Sequence, residues 1–540
     1  MFIITILQAI LLVAHAVAAQ NSTFSNPILS GFHPDPSCVF VEELDNTFFC
    51  VTSTFLAFPG VPVYASRDLK NWKLISHVFN RPSQYPGLGT KRTFINLVFS
   101  STDLFDDDAW SDPVEIDMHG INAIDPDLFW DDDGQVYMLT GWGKIYQSAV
   151  DLETGGSSKP VNVWNGTGAE SPEGPHMYKK NGYYYLLIAQ GGTGINHSVA
   201  IARSAHVSGP FEGFSGNPLL TAKNTENFFQ CVGHADLFQD ANKKWWGVAL
   251  ATRSGPDHRF YPMGRETVLY PVTWDDEWPV LDPVYGHMEG WEKPGRIQQS
   301  SSSHKSTPDV DSVDFEPGSS IPRHWKFWRF PDPSSYTISP PKHPNSLELS
   351  PSKSNLTGIL TEAHPINCIS RRQTASLFNF SVDIDFSPTE AGEEAGVSVF
   401  ITQLQHIDLS IQLASNGSQV LRLQTTAYGK PDAEPPKSNT LTMPRSWIGE
   451  ILRMYIEAKE PTAYSFSAAR ASEPLDVRYL GNVSAEYVTG GSGSYTGTLL
   501  SAYNTNNNRT GKAKAWISRW RYLPLAQEVE RGVFEPVNTN

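Results

Sequence analysis

Short apolar strands separated by polar turns follow one another along the first half of the chain. Four stretches repeat a single pattern: a polar residue at the head, an apolar strand, a turn rich in Asp, Asn, Gly or Lys, and a second strand of aromatic and β-branched residues. They are HPDPSCVFVEELDNTFFCVTS, AIDPDLFWDDDGQVYMLTG, SPEGPHMYKKNGYYYLLIAQ and VGHADLFQDANKKWWGVALAT. Hairpins repeated at intervals of several tens of residues are typical of the blades of a β-propeller. Helical periodicity is scarce.

The heads of the four repeats are Asp35, Asp125, Glu173 and His234. The first strand of each propeller blade lines the central channel, so the pattern predicts that these four side chains meet near the axis. Three carboxylates around one pocket are unfavourable unless a function requires them. The sequence therefore predicts an active or binding site there.

The spacing of the heads is uneven. The interval from Asp35 to Asp125 is long for one blade and short for two. Within it, NRPSQYPGLGTKRTFINLVFSSTDLF ends in an outer-strand pattern, NLVFSSTD, but contains no hairpin of the repeated type. The sequence thus predicts five blades, of which the second has lost its inner strands.

The second half of the chain alternates apolar and polar residues with period two. In LFNFSVDIDF, one face carries Phe378, Phe380, Val382, Ile384 and Phe386, and HIDLSIQLA repeats the alternation. This pattern predicts an antiparallel β-sandwich. The predicted organisation is a propeller over residues 20–295, a Ser-rich linker over 296–312 and a sandwich over 313–525.

The net charge of −16 argues against nucleic acid or an anionic membrane surface as a partner. Many aromatic and few basic residues suit a neutral ligand such as a carbohydrate, although aromatic rings more often fill β-sheet cores. We expect no cofactor and no metal, because no Cys or His spacing suggests zinc and the acidic runs FDDDAW and WDDDG fit turns better than a calcium loop.

Residues 1–19 form an apolar run that ends in small residues, which predicts a secretory signal peptide; a membrane anchor is the alternative. N-x-[ST] sequons occur at Asn21, Asn165, Asn196, Asn355, Asn379, Asn416, Asn482 and Asn508. We therefore expect a secreted, extracellular glycoprotein. Among the four cysteines, Cys38 and Cys50 flank a turn and could form a disulfide, while Cys231 and Cys368 are expected to be buried or free thiols.

The predicted pocket fits hydrolysis of a glycosidic bond with inversion, in which a carboxylate activates water and a carboxylic acid protonates the leaving oxygen. Asp35 lies between two prolines, which predicts a stiff, extended backbone suited to a general base; a strand-entry turn is the alternative. Glu173 suits the general acid. The charge of Asp125 would raise the pKa of Glu173 and orient it.

Several segments resemble glycoside hydrolase family 43. They are NPILSGFHPDPS, IDPDLFWDDDG, EGPHMYKKNGYYYLL, GHADLF and PMGRETVLYPVTW. The resemblance implies a five-bladed propeller, an inverting mechanism and a concanavalin-like sandwich. Longer segments, such as DNTFFCVTSTFLAFPGVPVYASRDLKNWKLI, are most similar to secreted fungal arabinofuranosidases that debranch arabinoxylan. In family members, a blade-two strand with a Trp-Ala-Pro-like motif and its hairpin partner stand between the positions of Arg81 and Asn96; both are missing here.

The same resemblance makes Asp35 the base, Asp125 the pKa modulator and Glu173 the acid. It makes His234 a residue of the pocket floor and Arg265 a contact for sugar hydroxyls, with Phe55 and Phe58 as candidates for the pocket wall. A core histidine is the alternative for His234, an ion pair with Glu266 or a nearby Asp for Arg265, and an ordinary core aromatic for Phe55 and Phe58.

Three functions stay open on these grounds. The favoured one is an exo-acting, inverting α-L-arabinofuranosidase on arabinoxylan, and the second is a β-1,4-xylosidase on xylo-oligosaccharides. The third is an inactive or carbohydrate-binding propeller, which the missing hairpin favours and the three retained acids disfavour. The sequence does not indicate the oligomeric state.

Overall fold

The computed structural model describes residues 22–86, 94–292, 310–358, 366–414 and 416–537. The predicted signal peptide, the sequon at Asn21 and the linker up to residue 309 lie outside these ranges. Within the described ranges the chain is all β, with no α-helix and only short 3-10 turns at Pro82–Gln84, Asp107–Ala109, Pro333–Ser335, Arg445–Trp447, Ala485–Val488 and Gly491–Gly493. No described helix has the length and apolar character needed to cross a membrane.

Four antiparallel sheets form the complete blades of the first domain. Aromatic and β-branched residues dominate their strands and are buried between neighbouring blades. Blade I contains Ser37–Val41, Thr47–Val51, Gly60–Ser66 and Lys73–Phe79. Blade III contains Ile124–Trp130, Val136–Gly141, Ile145–Ala149 and Val161–Trp164. Blade IV contains Glu173–Lys180, Tyr183–Gln190, Ser198–Ser204, Glu212–Gly213 and Leu220–Thr221; blade V contains Phe229–Gln239, Trp245–Arg253, Glu266–Thr273 and Val280–Leu281.

Blade II has only two described strands, Asn96–Val98 and Val114–Ile116. Their apolar side chains pack beside blade III, where Ile116 and Met118 share a buried cluster with Met138 and Val150. The two strands among the described residues of blade II agree with the expectation of an incomplete second blade, and residues 87–93 of this segment lie outside the described ranges.

The ends of the first domain meet in a small sheet. Ser22–Ser25 pairs with His287–Gly290, so the N-terminal strand lies against the last described segment of the domain. In blade I, Cys38 and Cys50 stand opposite each other in register and form a disulfide. Cys231 and Cys368 are free and buried.

The second domain is a sandwich of two antiparallel sheets around one large apolar core. One sheet contains Asp311–Val313, Tyr336–Ile338, Leu347–Leu349, Leu377–Asp385, Leu452–Glu460, Ala463–Arg470, Arg478–Ser484, Ala515–Glu530 and Val533–Pro536. The other contains Lys326–Trp328, Cys368–Arg372, Glu394–Thr402, Gln405–Leu413, Gln419–Ala427, Asn439–Thr442 and Leu499–Thr505. Residues 311 and 312, which we had assigned to the linker, form part of the first sheet.

A short propeller strand completes the second sandwich sheet. Ala57–Phe58 pairs with Lys326–Trp328 and becomes the edge strand of an eight-stranded sheet. Next to this pairing, the buried Lys326 Nζ donates to the Pro59 carbonyl at 2.8 Å and lies 2.7 Å from His77 Nε2. The two domains therefore share backbone and side-chain hydrogen bonds, which fixes the sandwich against one side of the propeller.

Candidate active site

Asp35 is held at the axis by two basic side chains. Arg265 donates from Nη1 to Asp35 Oδ1 at 2.9 Å and from Nη2 to Oδ2 at 3.4 Å, while His234 Nδ1 lies 3.5 Å from Oδ1. Burial acts to raise the pKa of Asp35, but Arg265 and His234 outweigh it and the net pKa is lowered. Asp35 is therefore a carboxylate at neutral pH.

The backbone at Asp35 differs from our prediction. Its φ is +52°, in the left-handed region, and not the extended value that the flanking prolines favour. Asp125 and His234 also have positive φ, at 56° and 49°. Such conformations are costly and persist only where surrounding contacts over-determine them. Three of the four heads therefore share a left-handed backbone conformation.

Asp125 and Glu173 form a pair of carboxyl groups with raised pKa values. Burial is the larger cause for both; it acts with the charge of Asp35 on Asp125 and with the charge of Asp125 on Glu173. Each pKa rises to about 7. The Gly174 N–H donates to Asp125 Oδ2 at 3.1 Å, which ties the strand of the acid to Asp125. Glu173 can therefore hold a proton up to about neutral pH.

His234 lies between Asp35 and the strand of Glu173. Its ring packs so closely on Gly174 that a Cβ at that position would be 2.9 Å from Nε2, and Gly174 has a φ of +55°. The close contact and the positive φ both favour glycine at position 174. Burial lowers the pKa of His234.

The two predicted wall residues lie in different places. Phe55 is 48% exposed beside Arg265, whose guanidinium carbon is 5.3 Å from the ring centroid. Phe58 is 7% exposed and packs on Phe79 and Phe330 at the domain interface. The prediction of Phe58 in the pocket wall is wrong, because its strand pairs with the sandwich and turns the ring into that interface.

Two further sets of rim residues were not predicted. Tyr495, from the sandwich, stacks on Phe55 at 5.8 Å, and its carbonyl accepts from Arg265 Nη2 at 3.1 Å. Near the acid, Phe94 and Trp142 form an edge-to-face pair at 5.5 Å, and the Gly143 N–H donates to the Pro172 carbonyl at 3.0 Å. No local pattern marks Tyr495, because it reaches the pocket only through the packing of the two domains.

The described residues contain no grouping of three or more His, Cys, Asp or Glu side chains arranged for a metal ion. The acidic runs have other partners. Asp107 accepts from the backbone N–H of His77 at 2.7 Å, and Asp131 accepts from Lys179 at 2.6 Å.

Comparison with known proteins identifies the family. The pattern described as "Glycosyl hydrolases family 43" matches residues 24–95 and 90–279, so the match breaks where blade II is short. Residues 312–523 match "Beta xylosidase C-terminal Concanavalin A-like domain". A non-reducing end alpha-L-arabinofuranosidase of Bacteroides ovatus is 33% identical over 91% of this chain and 93% of its own length.

A further relative and a solved structure also match most of the chain. A xylosidase/arabinosidase of the fungus Humicola insolens is 28% identical, with 94% of this chain and 98% of the relative covered. The solved structure of the Bacteroides ovatus xyloglucan PUL GH43B protein superposes with a TM-score of 0.79 at 31% identity, covering 93% of this chain and 100% of that one. The fungal relative is thus less similar than the bacterial one. The chain belongs to glycosyl hydrolase family 43 and is an O-glycosyl hydrolase.

Proposed function

We propose that the protein is an inverting, exo-acting α-L-arabinofuranosidase that removes arabinose side chains from arabinoxylan. The observation that carries the proposal is the opposite protonation of two carboxyl groups in one pocket. Arg265 keeps Asp35 ionised, whereas burial and the neighbouring carboxyl of Asp125 raise the pKa of Glu173 to about 7, so that Glu173 can hold a proton where Asp35 cannot. One base and one acid are what inversion requires.

In this mechanism Asp35 takes a proton from a water molecule as the water oxygen attacks the anomeric carbon. Glu173 gives its proton to the glycosidic oxygen as the bond to the anomeric carbon breaks, so the xylan chain leaves as an alcohol. Asp125 does not exchange a proton with the substrate; it orients Glu173 and raises its pKa. Arg265 contacts the hydroxyl groups of the sugar, His234 lines the pocket floor, and Phe55 and Tyr495 form one wall.

Cleavage of β-1,4-linked xylose from xylo-oligosaccharides is the second candidate. The sandwich favours it, because the matching domain is described as that of a β-xylosidase. The Bacteroides ovatus relative, whose name specifies arabinofuranosidase, favours arabinose. The special likeness to secreted fungal arabinofuranosidases stays a prediction.

An inactive, carbohydrate-binding propeller is the third candidate. The two described strands of blade II support it, because a blade without inner strands would leave channel-lining backbone without sheet partners. The organisation of Asp35, Asp125 and Glu173 speaks for catalysis, since binding alone has no need of an acid with a raised pKa.

We also propose that the protein is secreted. The Cys38–Cys50 disulfide is of the kind that persists in oxidising compartments. Six sequon asparagines are exposed, namely Asn165, Asn196, Asn355, Asn416, Asn482 and Asn508, whereas Asn379 is half-buried within a strand. Mass spectrometry of the protein from the culture medium of its source, before and after enzymatic deglycosylation, tests both points. Retention inside the cell without glycans would contradict them.

The test of function is proton NMR of arabinoxylan during incubation with the chain from residue 20 onward, with Glu173→Ala as the control. We expect arabinose to appear first as the β anomer and to be absent from the control. Xylose in place of arabinose would establish the second candidate. If neither sugar appears, a chain with a restored blade-two hairpin distinguishes a truncated enzyme from a binding protein.

A further inference from the structure

A second polar layer lies along the strands that carry the four heads. It consists of Ser37, Asp127, His176 and Asp236, each two or three residues after a head. Side chains two apart on a strand point to the same side. Blade IV needs three residues because its register shifts between Glu173 and His176. The layer therefore contains one residue from each of the four blades that carry a head, two or three residues further along each strand.

Direct contacts join this layer across four blades. His176 Nδ1 lies 3.2 Å from Asp127 Oδ1 and 3.7 Å from Asp236 Oδ1. Asp236 also accepts from Ser37 Oγ at 2.9 Å and from the Tyr178 hydroxyl at 2.8 Å. Blades I, V, IV and III are thus connected in that order through one carboxylate, one imidazole and a second carboxylate.

The charges in this layer are complementary. The side chains of Asp127, His176 and Asp236 are only 22%, 13% and 8% exposed. Burying two carboxylates together is costly unless a cation lies between them. Burial acts to lower the pKa of His176, but Asp236 and Asp127 outweigh it and raise the pKa to about 9. His176 is therefore an imidazolium at neutral pH.

We propose that His176 is a positioning residue of the reaction: its imidazolium joins Asp127 to Asp236 and so holds the strands of Asp125, Glu173 and His234 in their catalytic arrangement. The inference rests on the proposed function. It also assigns an electrostatic role, because the charge of His176 acts on Asp125 and lowers its pKa against the effects of burial and of Asp35.

Loss of this cation has a defined consequence in the pocket. The charged groups that face His176 are Asp127, Asp236 and Asp125, and the neighbouring His234 also interacts with it. Without the imidazolium, removing a proton from Asp125 leaves a more negative cluster, so Asp125 holds its proton to higher pH. Displaced strands also misplace the acid relative to the bond it protonates.

The first experiment compares His176→Gln with the wild type in a pH profile of arabinose release. We expect kcat to fall about 10-fold or more, KM to change less, and the basic limb to move up by ~0.5 pH units or more. His206→Gln is the matched control, because His206 is exposed and remote from this layer. His176→Lys restores a cation and is expected to return the basic limb toward its wild-type position. A fall in kcat with no movement of the limb would overturn the electrostatic part of the proposal.

A second pair of measurements does not depend on whether His176→Gln folds, and the first of the pair needs no turnover. Histidine labelled with ¹³C at Cε1 is titrated by NMR in the wild type, and Ser37→Ala removes one of the bonds to Asp236 while leaving the Cys38 N–H bond at 2.9 Å. The His176 resonance is expected to titrate near pH 9, and kcat of Ser37→Ala to fall more than its melting temperature explains. Titration near the ordinary histidine value overturns the proposal even if the enzyme is active. If the wild type releases no sugar, the proposed function fails while the titration still tests the layer.

Discussion

The pocket and the domain interface are two distinct regions of the molecule, and residues that are close in the sequence lie one in each. Arg265 points into the pocket and pairs with Asp35, whereas Glu266 points into the interface and pairs with Arg253. Phe55 is half-exposed beside Arg265, whereas Phe58 is buried between the domains. The two members of each pair are only one or three residues apart in the sequence. One side chain of each pair is nevertheless a candidate functional group in the pocket, and the other is a structural group in the interface.

The two ion pairs differ in their geometry and surroundings. Arg253 forms a closed pair with Glu266: Nε and Nη2 donate to its two oxygens, at 2.7 and 2.9 Å, and Nη1 donates to Gln527 and the Glu528 carbonyl. Arg265 makes a shorter and a longer bond to Asp35 and also donates from Nε and Nη2 to the Tyr495 carbonyl, beside exposed aromatic rings. Both arginines are fully bonded, but the pair of Arg253 lies wholly inside the interface, whereas the pair of Arg265 borders half-exposed rings at the pocket.

Among the substitutions that test this comparison, the largest effect is expected at Glu173, the proposed general acid. Glu173→Gln keeps the shape but removes the proton donor, so kcat on arabinoxylan should fall about 10²- to 10⁴-fold. The loss should be smaller on a nitrophenyl arabinoside, whose leaving group needs no proton. Glu170→Gln, at an exposed position in the same loop, is the control. Equal losses on both substrates would contradict the assignment of Glu173 as general acid.

Matched substitutions of Arg253 and Arg265 test whether the interface pair supports stability and the pocket pair supports activity. Arg253→Lys breaks the closed pair and leaves buried acceptors unpaired, so the free energy of unfolding should fall by about 3 kcal/mol. Arg265→Lys should lower kcat/KM about 10-fold or more with a smaller loss of stability. Urea denaturation and kinetics of both variants check this. Similar effects of the two substitutions on both quantities would remove the distinction.

The raised pKa values of Asp125 and Glu173 predict that the free energy of unfolding decreases as the pH rises. The unfolded chain releases the protons of Asp125 and Glu173 near their ordinary pKa values of 3.8 and 4.5, whereas the folded chain releases them near 7. Between these limits the unfolded state binds fewer protons, so stability falls with increasing pH. Melting temperatures from about pH 5 to about pH 7.5 should decrease less in Glu173→Gln than in the wild type, by a few degrees. Parallel curves would show that Glu173 has no raised pKa.

The smallest effects are expected at the two phenylalanines. Phe58→Leu should lower the free energy of unfolding by about 1 kcal/mol and leave KM unchanged, because Phe58 lies in the interface. Phe55→Leu should raise KM with little change in stability, because half of its surface is already exposed. Thermal melts and Michaelis–Menten kinetics distinguish the two, and a change of KM in Phe58→Leu would return that residue to the pocket.

Repeats in the sequence predicted the propeller, the short blade and the convergence of the four heads, because each depends on a local strand pattern. Local preference failed at Asp35, where contacts with Arg265 and His234 hold a positive φ that the flanking prolines do not favour. It also failed for Phe58 and Tyr495. Their positions depend on the pairing of Ala57–Phe58 with Lys326–Trp328 and on a loop from the other domain, and sequence periodicity contains no information on such contacts.

The pairing of Ala57–Phe58 with the sandwich has a consequence for the modularity of this protein. A catalytic domain excised at the linker would lose the partner of one strand, the bonds around Lys326 and the Tyr495 carbonyl that Arg265 contacts. The sandwich is accordingly not an appendage that can be exchanged at the linker. A functional chimera therefore has to transfer both sides of this shared sheet together.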